Sequence, residues 1–185
     1  STLYAEISDG AGNTNNASAW TGPEAVTLGT INTKKIKSVL PKSGGKLYSG
    51  NGGTASADDR FATSVVVGDF SARYRYTNTT IDESEIASCL NTILNDGTCY
   101  ELALTIVGDA GDTAEFDNPL AITLTIDRDA SKGVHPSKLT ITYEGVPVGL
   151  CPAKDVALEN QPCLNGTPVR IRDKKNPDID GDIRV

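Results

Sequence analysis

Asn176, Asp178 and Asp180 place oxygen-bearing side chains at the first, third and fifth positions of NPDIDGD, and Gly181 stands at the sixth. That is the opening of a calcium-binding loop, where carboxylate and amide oxygens gather round a hard cation and a glycine permits the sharp turn. Asp182 adds one more carboxylate. The bidentate Glu expected at the twelfth position would fall beyond Val185, so the loop reads as a partial, low-affinity calcium site. The same residues also suit the polar tip of a hairpin, because VRIRD before them and DIRV after them both alternate. A second acidic stretch, Gly108 to Asp117, carries enough carboxylates for weak calcium binding but lacks a recognised ligand spacing.

Other chemistry is limited by the residues present. His135 is the only histidine and sits before Pro136, and no G-x-S-x-G surrounds any serine, so a Ser-His-Asp or Cys-His centre has no support. Paired carboxylates for glycoside hydrolysis would need stacking surfaces for the sugar, and aromatic residues make up 5% of the chain. No catalytic residue is assigned, and the chain reads as non-enzymatic. Trp20 and Tyr48 are the candidate rings for carbohydrate binding. Phe70, Ala72, Tyr74 and Tyr76 alternate and read as a core-facing strand stripe. Three sequons, at Asn16, Asn78 and Asn165, are close to the number expected by chance.

Four cysteines remain. Cys89 and Cys99 flank a short loop, as do Cys151 and Cys163, which favours two local disulfides among the three connectivities that four cysteines allow. Zinc is disfavoured, because there is no C-x-x-C and a single histidine. Disulfides imply an oxidising compartment, and the chain is expected to be extracellular or at a cell surface. It begins at Ser1 and contains no Met, so a cleaved secretory signal is expected to have preceded it.

The elements that would position these residues are mostly strands. Period-two alternation marks Leu3, Ala5 and Ile7, then Tyr100 to Ile106, Leu120 to Ile126, Leu139 to Tyr143 with a hairpin to Val146 and Val148, and Val169 with Ile171 returning through Ile183 and Val185. One segment has helical spacing: Asp82 and Glu85 resemble a capping box before Ile86, Leu90 and Leu94, predicting a short helix at about 83–94. The Gly- and Ser-rich stretch at about 42–59 reads as a long loop. Residues 1–185 are expected to form a single all-β domain with one short helix, an antiparallel β-sandwich of jelly-roll or Ig-like type.

A net charge of -7 opposes nucleic acid and anionic lipid as partners. The short basic run Lys34, Lys35, Ile36, Lys37 fits a solvated strand edge, where lysines discourage unwanted pairing. No apolar run approaches the ~18 residues needed for a membrane span.

The C-terminal third, NPLAITLTIDRDASKGVHPSKLTITYEGVPVGLC, resembles the closing β modules of large secreted bacterial surface proteins of the choice-of-anchor kind. His135-Pro136-Ser137-Lys138-Leu139 matches their Pro-x-x-Leu connection, and Tyr143-Glu144-Gly145 their acidic-Gly turn, without the tryptophan that often follows it. The resemblance implies an extracellular structural role and transfers no catalytic residue. With strand-like ends, Leu3, Ala5 and Ile7 become the expected assembly strand of a homopolymer, an extracellular filament or surface assembly that needs no cofactor. The alternative expectation is a calcium-assisted, lectin-like module of a larger surface protein that binds surface glycans.

Overall fold

The computed structural model describes residues 30–86, 99–116, 119–144, 146–153 and 161–185. In chain order the strands are β1 (Thr30–Pro41), β2 (Gly45–Tyr48), β3 (Phe61–Val67), β4 (Tyr76–Ile86) and β5 (Cys99–Gly108). They are followed by β6 (Ala121–Ile126), β7 (Thr142–Tyr143), β8 (Val146–Pro147), β9 (Val169–Arg170) and β10 (Ile183–Arg184). All strand pairs are antiparallel. One sheet has the order β1-β4-β5, a second has the order β2-β3-β6-β10-β9, and β7-β8 form a separate ribbon.

The two larger sheets pack face to face, as a β-sandwich requires. Along β1, Lys34, Ile36, Ser38 and Leu40 turn inward while Lys35 and Lys37 face solvent, so the basic run is a strand edge with one lysine reversed. Leu40, Leu47, Val65, Val67 and Ile81 form the buried centre between the sheets. Phe61, Ile126, Ala130 and Ile183 fill one end, and Phe70, Tyr74 and Ala114 the other. At that second end, a Cβ on Gly108 would lie 2.3 Å from the Tyr74 ring, so the closing turn of β5 needs glycine for close approach.

Several expectations need correction. The predicted helix is strand over residues 83–86: β4 pairs with β1 on one side and β5 on the other, with Glu83 opposite both Lys34 and Leu102. Residues 87–94, Cys89 among them, lie outside the described residues, as do Leu3, Ala5, Ile7, Asn16 and Trp20. The stripe from Phe70 to Tyr76 is a turn, closed by the bond from Tyr74 N–H to the Ser71 carbonyl; Phe70 and Tyr74 are core, but Tyr76 starts β4 and is exposed. The stretch at 42–59 is not loop throughout, because Leu47 is buried and β2 forms around it. Gly44 makes that possible: its φ is 75°, and a Cβ there would lie 2.0 Å from the Val67 carbonyl oxygen. The hairpin at Glu144 is present but short, since β7 and β8 span two residues each.

Candidate functional site

Two regions of the sandwich carry unsatisfied potential. The first is the side where, among the described residues, β5 and part of β6 keep an unpaired edge. β5 pairs with β4 along one edge; along the other, among the described residues, it makes only the isolated bridge from Val107 to Thr113. Its inward side chains Leu102, Leu104 and Ile106 pack on the central cluster yet stay half-exposed, and Leu120 does the same just before β6. Ile122 lies directly opposite the fully buried Val65, on the core face of its sheet, but is 43% exposed. On the β6 edge away from β3, β10 covers Ile126 and Thr125, and Val185 bonds Leu124. Among the described residues no strand continues that pairing to Ala121. Core-facing apolar side chains are thus left part-open along strand edges, the arrangement that an added strand covers.

The second region is a charged end. Lys34 of β1 and Glu83 of β4 are cross-strand neighbours, and both face the interior. Lys34 Nζ contacts Asp59 Oδ2 and lies 3.9 Å from Glu83 Oε2. Arg60 pairs with Glu85. Glu83 is 3% exposed, and its Oε1 has no hydrogen-bond partner among the described residues. Tyr100 stacks on Phe61 with ring centroids 4.7 Å apart, and its hydroxyl shares a 2.6 Å hydrogen bond with Thr63 Oγ1. Burial, and next the Glu83 carboxylate beside it, raise the Tyr100 hydroxyl well above the usual phenol range, so it keeps its proton. Lys34, Asp59, Phe61, Glu83, Glu85 and Tyr100 line a water-sized cavity of about 10 Å³. Burying this many charges is unfavourable unless they pair closely. The sequence held a signal for the cluster, since Lys34 is in phase with Ile36 and Leu40, and Glu83 and Glu85 are in phase with Ile81.

The calcium candidates do not converge. Asp180 Oδ1 accepts from Asp173 N–H at 2.8 Å, and Asn176 Oδ1 from Asp178 N–H at 3.3 Å. Asp182 turns inward, where its Oδ1 accepts from Arg128 N–H at 3.0 Å. The stretch is a hairpin tip, with β9 returning as β10 and Ile171 bonded to Asp182 and Gly181. Arg170 ties this hairpin to the preceding turn through the carbonyls of Ser131 and Val134, at 3.0 and 2.8 Å. Among the described residues, no three His, Cys, Asp or Glu side chains are gathered to hold a metal. In the acidic loop after β5, Asp109 accepts from the backbone N–H of Arg75 at 3.2 Å, and Asp112 and Glu115 lie 3.8 and 3.6 Å from the Arg73 guanidinium.

Cys151 and Cys163 form a disulfide, as their spacing suggested. Cys99 is also disulfide-bonded, while Cys89 lies outside the described residues. His135 serves as a local cap, its Nδ1 accepting from Ser137 N–H at 3.3 Å beside the 3-10 turn Pro136–Lys138. Tyr48 and Tyr76 are exposed at 41% and 48%. Tyr76 borders an open recess of about 560 Å³ lined also by Pro41, Lys42, Ser43, Asp69 and Arg75. None of the described helices is long and apolar enough to cross a membrane.

The fold defines an all-β protein of antiparallel sheets packed against one another. Comparison of the chain with protein-family models, curated proteins and solved structures returns no match.

Proposed function

We propose that this is a secreted, non-enzymatic structural or adhesive protein that assembles with copies of itself at a cell surface, an extended strand of one copy completing the sandwich of the next. One observation supports it above the rest: among the described residues, the edges of β5 and β6 leave Leu102, Leu104, Ile106, Leu120 and Ile122 part-open on the core face. A segment with alternating apolar residues, such as Leu3, Ala5 and Ile7, has the pattern to add main-chain bonds to such an edge while filling it. The Cys151–Cys163 disulfide suits an oxidising exterior.

Size-exclusion chromatography and electron microscopy of the purified protein test the reading. Multimers or filaments are expected. Deleting Ser1 to Ser8, or changing the half-exposed Ile122 to Lys, should yield folded monomers. Wild-type protein that stays monomeric at high concentration would sink the idea. The recess beside Tyr76 favours a second reading, a calcium-assisted glycan-binding module. Monomers that bind a glycan array and melt higher in millimolar calcium would decide for it.

A further inference from the structure

The charged end holds an amine, a carboxyl group and a second carboxylate in the arrangement that forms an amide. We propose that Lys34 and Asp59 become joined by an isopeptide bond, with Glu83 as the proton carrier, giving the sandwich a covalent tie between its two sheets. Lys34 lies on β1 in one sheet, and Asp59 lies just before β3 in the other. Their reacting groups are already in contact, which removes the entropic cost of bringing them together.

Amide formation needs a neutral amine and a protonated carboxyl group, which together differ from the ion pair only by the transfer of one proton. The Lys34 nitrogen then attacks Asp59 Cγ, forming a C–N bond as a C–O bond breaks. Glu83 accepts the proton that the nitrogen sheds and passes it to the departing hydroxyl, so one water leaves and Glu83 ends as it began. Its position fits that role: Oε2 lies 3.9 Å from Lys34 Nζ, and the buried Oε1 has no hydrogen-bond partner among the described residues. The small cavity beside these groups has room for about one water. Lys34 and Asp59 retain 28% and 27% of their side-chain exposure, which leaves that water a way out.

The tie stands whether or not the chain polymerises, and its test is separate. The intact mass of the reduced, denatured protein should be one water lighter than its sequence requires. Protease digestion should yield a branched peptide joining Lys34 to Asp59, with no cleavage after Lys34. Lys34→Arg and Asp59→Ala should restore the full mass. Glu83→Gln should fold with an unchanged circular dichroism spectrum yet remain unlinked. Wild-type protein at full mass after prolonged incubation would overturn the proposal, and so would a water loss that maps to an Asp-Gly pair such as Asp180-Gly181. Full linkage in Glu83→Gln would remove Glu83 from the mechanism.

Discussion

Asp182 shows how much a single side chain can be made to tolerate. It is fully buried, Arg128 N–H binds Oδ1, and Oδ2 has no partner among the described residues. Burial first, opposed by that hydrogen bond, pushes its pKa from 3.8 to about 6, and the nearby Asp127 charge adds to the rise. A carboxyl group that holds its proton more tightly folded than unfolded makes stability fall as pH rises between those two values. The loss is complete above about pH 6 and absent below about pH 4. Asp182→Asn, which keeps an acceptor for Arg128 and removes the charge, should therefore raise the urea midpoint at pH 7 by the equivalent of up to about 3 kcal/mol. At pH 4 it should change little. An equal effect at both pH values would show that Asp182 does not titrate in this way. The sequence placed Asp182 among the calcium donors, because spacing along a loop cannot tell an inward carboxylate from an outward one.

At the level of elements, strands were legible where burial follows the expected period. β5 alternates because one face meets the core, while β6 keeps the apolar period at Ile122, Leu124 and Ile126 although its burial deepens along the strand, and both were anticipated at nearly their observed bounds. β4 was misread because its inward positions include Thr77, Thr79, Glu83 and Glu85, so polar residues occupy the places where apolar ones mark a strand. β3 escaped notice for another reason: Phe61, Ala62 and Thr63 are buried in succession, and a strand covered on both faces loses its alternation. β2 was hidden by flanking glycines that make its turns possible. The β5 terminus offers a direct test of packing. Gly108→Ala would drive a methyl group into the buried Tyr74 ring, and overpacking of this kind costs about 1–3 kcal/mol. Thermal melting should register that loss, while an unchanged midpoint would mean that the Tyr74 end repacks freely.

For the whole molecule, the sequence disclosed the class but not the wiring. Which sheet holds which strand depends on pairings between distant segments, such as β1 with β4 and β3 with β6, and local pattern carries no record of them. The placement of β10 is the plainest case. Ile183 is fully buried and lies between β6 and β9, so the last residues of the sequence form an interior strand. Removing Ile183 to Val185 should cost at least about 3 kcal/mol and release β9 with it, readable as a lowered, broadened urea transition. A truncated protein that unfolds like the parent would show that β10 is dispensable. The order of synthesis gives this placement a further consequence. β6 emerges long before its neighbour, so the larger sheet cannot close until the chain has run through Arg184. During that interval β6 lacks its partner on one side, and closure waits on a pairing between segments far apart in the sequence, the kind of non-local contact that slows folding.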